Sequence, residues 1–250
     1  MVKTLPARLH VVCHQAPGDV LMVTAAVRDL KRVVPKMSIY VDTRYDDLWL
    51  HNPHIVEHSR WLRQGTQLMV DYKPYLHASP NQPGHFVNAI HRCFESKLGI
   101  RIPSTAFKGD IHMSKEELER PSPLSEPYWI IIVGGKTDFT TKWWNPDYAQ
   151  QVVDHFKGRI KFVQLGNISK PDVYPEHVHF PLKDTVNMIG QTTIRQTVNW
   201  VYHAEGVLCP VTFFMHLAAA VPAKDVRRKL KPCVVIAGGR EPPHWEAYPG

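Results

Sequence analysis

Residues 8–41, RLHVVCHQAPGDVLMVTAAVRDLKRVVPKMSIYV, decide the fold. Residues 8–13 (RLHVVC) are a short apolar run, residues 15–19 (QAPGD) are a turn, and residues 20–34 carry apolar side chains at helical period. Pro35 stops that helix, because its ring clashes with the preceding turn and it has no N–H to donate. Residues 37–41 (MSIYV) then supply the β-branched and aromatic types that favour a strand. Strand, helix and strand in this order make a βαβ unit, with parallel strands and a right-handed crossover.

Downstream, residues 67–72 (QLMVDY) predict a third strand, and residues 86–98 predict a helix ended by Gly99. From residue 104 to 127 the chain turns polar and Pro-rich, and residues 121–127 (PSPLSEP) read as an interdomain linker. A second series opens with residues 128–133 (YWIIIV), apolar on both faces as a buried parallel strand requires, and runs straight into Gly134-Gly135-Lys136-Thr137. Helix 146–156, strand 160–165, helix 193–204, strand 206–209, helix 212–220 and strand 233–237 follow. The prediction is an α/β protein of two Rossmann-like, doubly wound domains, residues 1–120 and 128–250. In such sheets ligands bind beyond the carboxyl ends of the strands, so the loops at 15–19, 134–144, 190–193 and 210–216 are the places to look.

Composition narrows the function. At 250 residues, 44% hydrophobic and 21% charged, the chain can bury a substantial core and is not of disordered type. No secretion signal is read at the start and no apolar run reaches eighteen residues, so a water-soluble, cytoplasmic protein is expected. Cys13, Cys93, Cys209 and Cys233 are widely spaced, with no CxxC pair, which fits reduced core thiols rather than a zinc or redox site. A formal net charge of +7 favours anionic ligands such as phosphates. The basic residues are scattered, so no nucleic-acid partner is expected, and the densest run, KDVRRKLK at 224–231, reads as a solvated loop. His51, His54 and His58 (HNPHIVEH) would share a face if helical, but Asn52-Pro53 marks a turn, and the segment reads as loop rather than metal site.

Residues 186–220 (VNMIGQTTIRQTVNWVYHAEGVLCPVTFFMHLAAA), with Gly18-Asp19-Val20-Leu21 near the start and Lys142-Trp143 in the middle, resemble glycosyltransferase family 9, the ADP-heptose:lipopolysaccharide heptosyltransferases. The resemblance spans nearly the whole chain in matching order. It implies the GT-B architecture, in which two Rossmann-like lobes face a cleft, the acceptor on the first and the nucleotide sugar on the second. It also implies inverting transfer of a sugar, heptose in the family, from a nucleoside diphosphate donor (an ADP-sugar favoured) to a carbohydrate or glycoconjugate hydroxyl. No cofactor or metal is implied, and contact with the inner membrane would come only through the acceptor.

The resemblance also assigns residues. Asp19, after Gly18, falls on the general base that deprotonates the acceptor; read from the residues alone, it is rather a helix cap, since Asp is favoured there. Lys142 falls on the basic residue that neutralises the departing diphosphate, with Thr140 and Thr141 adding hydroxyls; its alternative is a surface lysine. Gly135 and Lys136, with Asp138 beside them, Gly166, and Gln191 and Thr192 lie on loops expected to hold nucleotide or sugar. The family's Asp-Thr-Gly-x-x-His element falls on residues 211–216, where Thr212 and His216 agree while Val211 and Phe213 replace the acid and the glycine. His216 is either a nucleotide contact or a satisfied core histidine. Arg240, in the turn Gly238-Gly239-Arg240-Glu241-Pro242, is within the family's loop beside the nucleotide and can pair with phosphate. Two other classes fit the same residues: a non-catalytic nucleotide-sugar-binding or scaffold protein, favoured by Val211, and a nucleotide-sugar epimerase.

Overall fold

In the computed structural model, which describes residues 4–56, 65–168, 176–224, 231–238 and 242–248, the opening βαβ unit forms as read. Strand β1 (Arg8–Cys13) leads into helix α1 (Pro17–Val33), which returns the chain to β2 (Ser38–Thr43). β3 (Thr66–Met69) pairs with the other side of β1, and all pairings are parallel, giving the order β2-β1-β3. The helix begins at Pro17, three residues earlier than the periodicity alone indicates. Proline at the first helical position is pre-set for the helical φ and has no N–H to leave unsatisfied. α1 is buried around most of its circumference, with Leu21, Met22, Val23, Ala25, Ala26 and Val27 fully inside. The short α2 (Lys73–Ala78) and α3 (Phe86–Leu98) follow; α3 ends at Gly99, in the left-handed conformation that glycine adopts without penalty.

The second series begins with a short α4 (Lys115–Glu119), then β4 (Tyr128–Ile131), β5 (Gly134–Lys136), α5 (Pro146–His155), β6 (Lys161–Gln164), β7 (His177–His179), β8 (Val186–Asn187), α6 (Ile194–His203), β9 (Gly206–Pro210), α7 (Phe213–Ala220) and β10 (Cys233–Ile236). Five of these strands form one parallel sheet in the order β10-β9-β4-β6-β8. Numbered in chain order and read from the β8 edge, this is 3-2-1-4-5, a doubly wound order. Its core gathers Ile131, Val133, Trp144, Ala149, Val153, Phe162, Leu182 and Leu208. β5 and β7 form a separate antiparallel ribbon where the sequence indicates loop, because Gly-Gly and His-Val-His carry no run of β-formers. Finally α8 (Pro243–Glu246) follows β10. No helix among the described residues is long and apolar enough to cross a membrane. Cys13, Cys93, Cys209 and Cys233 are free thiols.

Contacts divide the chain into residues 1–113 with 241–249, and residues 114–240. The first break falls before α4 rather than at the expected linker, residues 121–127, for a local reason. Glu117 of α4 takes a two-pronged ion pair from Arg195 of α6, both side chains largely buried, so residues 114–120 belong with the second unit. The end of the chain returns to the first unit: Trp245 stacks on Phe86 with centroids 5.5 Å apart, His244 Nε2 lies 3.0 Å from the Ser79 carbonyl oxygen, and the Tyr248 hydroxyl meets Met22 Sδ. A second domain running on to 250 therefore differs from the contacts observed.

The first unit carries one buried charge cluster. Asp29 on α1, its side chain without solvent exposure, receives hydrogen bonds from His91 Nε2 (2.8 Å), the Arg28 guanidinium, and the Thr105 N–H and hydroxyl. His91 Nδ1 faces the Val87 carbonyl, so α1, α3 and the segment after α3 are tied at one point. Burial alone would raise this carboxyl, but the bonds from His91, Arg28 and Thr105 outweigh it and hold it well below its ordinary 3.8. A depressed folded value means that the unfolded chain binds the proton first. The stabilisation is therefore complete above about pH 5 and is lost as pH falls through the folded-state value. Asp29→Asn should cost about 3–5 kcal/mol by urea unfolding at pH 7, because it removes the charge partner of the largely buried Arg28 guanidinium. Below pH 4 the gap between wild type and variant should narrow.

Candidate functional site

A doubly wound sheet reverses direction once, and the strands flanking that reversal send their helices to opposite faces, leaving a crevice at their carboxyl ends. In the second unit the reversal lies between β4 and β9, which pair directly. The loop after β4 holds Gly134, Gly135, Lys136, Thr140, Thr141 and Lys142; the loop after β9 holds Val211, Thr212 and the start of α7. The sheet thus brings the 134–144 and 210–216 loops to one place.

The glycines of the first loop are there for steric reasons. Gly134 has φ of 91°, and a Cβ on it would lie 2.1 Å from the Val178 carbonyl oxygen, so no other residue permits the β5–β7 pairing. Gly135 is extended and half-buried. Residues 137–142 then form a 3₁₀ turn closed by the Trp143 N–H donating to Thr140 O, while the Trp143 indole N–H donates to Lys136 O at 3.0 Å. Lys142 ends this turn, half-buried; Asp138, Thr140 and Thr141 are exposed. At the end of β10, a Cβ on Gly238 would come within 3.1 Å of Thr141 O, which places the final strand's loop against the same turn. Arg240 lies outside the described residues.

α7 differs at its start from α3, α5 and α6. Those three are capped by side chains, respectively His85, Asn145 and Thr193. Thr212 occupies the N-cap position of α7 in extended conformation, yet its side chain makes no capping bond; its Oγ1 is buried beside the Cys209 thiol. The first-turn N–H groups of α7 therefore have no side-chain acceptor from Thr212. Phe213 is half-buried with its ring 5.7 Å from Phe214, and His216 is buried on α7 one turn from Thr212. Val211 is buried and apolar.

One strand further along, Gly166 follows β6. A Cβ there would lie 2.5 Å from the His179 ring, and the ring's Nδ1 is 3.0 Å from Val133 O, the carbonyl preceding Gly134. Burial lowers the His179 pKa, so the ring is neutral near pH 7 and Nδ1 carries the proton that it donates to this carbonyl. Gly190 extends the rim: its N–H donates to Gly166 O at 2.8 Å. Gln191 and Thr192 stand beyond it, after the edge strand β8, two strands from β4. Gln191 Nε2 donates to Asn187 O and Thr192 Oγ1 bonds Thr197 Oγ1, so both side chains brace their own loop.

In the first unit the reversal lies between β1 and β3, and one hydrogen bond spans it. The Tyr72 hydroxyl, after β3, donates to Asp19 Oδ1 at 2.8 Å, while Asp19 Oδ2 accepts from the Ala16 N–H at 2.9 Å. Asp19 caps α1 from its third position rather than as N-cap, and Gly18 is buried in the same turn. Burial, then the Asp19 charge, push the Tyr72 hydroxyl far above its ordinary value, so it remains a donor; burial likewise raises the Cys13 thiol to about 11, which removes thiolate chemistry beside Asp19. Tyr72 and His179 escaped the sequence reading, since a residue that matters through a neighbouring strand is visible only once strand order is known. His58 lies outside the described residues, and His51 at φ of 61° breaks any continuous helix through 51–54.

No sequence family profile and no curated protein matches the chain. Among solved structures its fold is shared by the iron-containing dodecameric glycosyltransferase TibC of enterotoxigenic E. coli, with TM-score 0.68 and 17% identity over 98% of this chain. It is also shared by a family 9 glycosyl transferase of Veillonella parvula (0.65, 13%, 96% of this chain) and E. coli ADP-heptose LPS heptosyltransferase II (0.63, 13%, 95%). The chain spans 61% of TibC, 84% of the Veillonella protein and 86% of heptosyltransferase II. At these identities the likeness is one of fold, and the proteins that share it are of the type the sequence resembles.

Gly134→Ala should lower the stability of the second unit by about 2 kcal/mol or more in urea unfolding, through the clash with Val178 and the left-handed φ. Gly158→Ala, at φ of 76° but with nothing within 4 Å of the added carbon, separates the two costs: it should be the milder of the pair.

Proposed function

We propose that the chain is a glycosyltransferase of the family 9 type, moving a sugar from a nucleoside diphosphate donor to a hydroxyl of a carbohydrate or glycoconjugate acceptor. The observation that carries this reading is the start of α7. It is a helix N-terminus without a side-chain cap, with the Thr212 hydroxyl beside it, at the reversal of a parallel sheet and next to a glycine-rich loop. Free N–H groups and the positive end of the helix dipole attract phosphate. In this reading Thr212, Phe213 and His216 hold the nucleoside diphosphate with Gly135, Lys136, Thr140 and Thr141. Gly166, Gln191, Thr192 and Arg240 complete the nucleotide-sugar side. An ADP-sugar is favoured as donor, since TibC has been solved with ADP-D-β-D-heptose and another protein of this fold is named as an ADP-heptose transferase.

Transfer is a direct displacement with inversion. The acceptor oxygen forms its bond to the anomeric carbon as the bond to the diphosphate oxygen breaks, and Asp19 takes the hydroxyl proton. Tyr72 and the Ala16 N–H fix the carboxylate's orientation beforehand. Lys142 and the α7 N–H groups meet charge that grows on the departing diphosphate, where a fixed cation contributes most in the transition state. The reaction needs no cofactor and is assigned to the cytoplasm, in keeping with the free thiols.

A second reading, a binding protein that keeps the fold without turnover, is favoured by Val211, which puts a buried apolar side chain where the resembling family has an acid. A screen of ADP-, UDP-, GDP- and dTDP-sugars by thermal shift tests donor binding; a ligand at a hundred times its Kd adds about 2.7 kcal/mol. If none raises the melting temperature, both readings fail. Asp19→Asn should lower kcat by about 10²–10⁴ with the donor-induced shift retained, and Tyr72→Phe should lower kcat less. Unchanged nucleoside diphosphate release by Asp19→Asn removes Asp19 from the mechanism, and acceptor-independent isomerisation of the donor would mean an epimerase instead.

A further inference from the structure

Away from the residues assigned above, three side chains of the first unit converge. Gly109, Asp110, Ile111 and His112 alternate buried and half-buried, as an extended segment does. Gly109 packs so closely on α1 that an added Cβ would lie 2.8 Å from Leu21 Cγ, and Ile111 points inward with it. Asp110 and His112 consequently share the outward side. Opposite them, His54 stands on a turn fixed by its own N–H donating to Asn52 Oδ1 at 2.9 Å. His54 Nε2, Asp110 Oδ2 and His112 Nε2 all lie within 4.8 Å of one another, with Asp110 Oδ2 at 3.5 Å from the first ring and 2.9 Å from the second.

We propose that His54, Asp110 and His112 form a binding site for a divalent first-row transition metal of the zinc type, holding the 50–56 turn to the 109–112 segment. The spacing fits. With Zn–N and Zn–O bonds of about 2.0–2.2 Å, two ligands of a tetrahedral ion stand about 3.4 Å apart, close to the separations seen. The chemistry of the donors also selects the ion. Two imidazoles and a single carboxylate suit zinc and its neighbours, whereas calcium or magnesium would need several oxygen ligands. The carboxylate is oriented in advance: the Asp110 N–H donates to Thr24 Oγ1 at 2.7 Å, and Oδ1 faces the Arg28 guanidinium at 4.0 Å, which leaves Oδ2 for the histidine side. The side chains are 19–30% exposed, so water can fill a fourth position. On binding, the proton of the His112 nitrogen that faces Asp110 goes to solvent and that nitrogen's lone pair takes the metal.

Titration of the chelator-treated full chain with Zn²⁺ by calorimetry tests this. One equivalent should bind, and the melting temperature should rise by about 5–10 °C at a hundredfold excess over Kd. His54→Ala and His112→Ala should each weaken binding at least tenfold, with His155→Ala on the second unit as an unaffected control. Co²⁺ gives a readout on the unaltered protein: nitrogen and oxygen ligands produce visible d–d bands without thiolate charge transfer. Absence of saturable binding, an undiminished equivalent in the His54→Ala/His112→Ala double variant, or a thiolate band that assigns the ion to a cysteine would each overturn the proposal.

Discussion

A parallel strand with partners on both sides can be reached only by crossovers over the faces of the sheet, and that constraint organises each unit of this protein. β1 lies between β2 and β3, and β4 between β6 and β9. Because right-handed crossovers to opposite sides of a strand fall on opposite faces, no helix covers the carboxyl end of the strand where direction reverses. The chemically able residues follow from that geometry. Asp19 and Tyr72 meet across one reversal; the Gly134–Lys142 loop and the Thr212 helix start meet at the other. The Gly134 and Gly166 contacts are the local consequence of packing backbone tightly there.

Much of this was legible in the sequence because it is encoded over short distances. Periodicity located α1, α3, α5, α6 and every strand of the two parallel sheets except β8 to within a few residues, and Pro35 and Gly99 act through backbone geometry alone. What stayed hidden depends on partners far away in sequence. β7 is a strand only because Gly134 and Gly135 lie against it. Asp19 caps its helix, yet it also holds a tyrosine 53 residues away. Arg195 and Glu117, 78 residues apart, move α4 from the first unit to the second. The loop at 190–193 was legible as a loop, but its side chains serve their own turn.

Fold and activity rest on different supports. The strand order, the parallel registers and the likeness to three solved glycosyltransferases all speak to architecture, which many chemistries share. Val211 and Phe213 mark where this chain departs from the pattern it otherwise resembles. A buried valine supplies no acceptor to a ligand hydroxyl, so under the proposed function a ligand at the start of α7 would be held through main-chain amides rather than through an acid at that position.

The packing of Trp245 on Phe86 bears on how the chain acquires its structure. Residues 114–240 are continuous, so that unit can form as soon as it has left the ribosome. Its companion is completed later: Phe86, Ser79 and Met22 receive their contacts from residues made after the whole of the other unit. Until then an aromatic surface on α3 stays open to solvent, and a chain stalled or clipped before residue 242 would carry that exposed patch as a point of aggregation or chaperone capture.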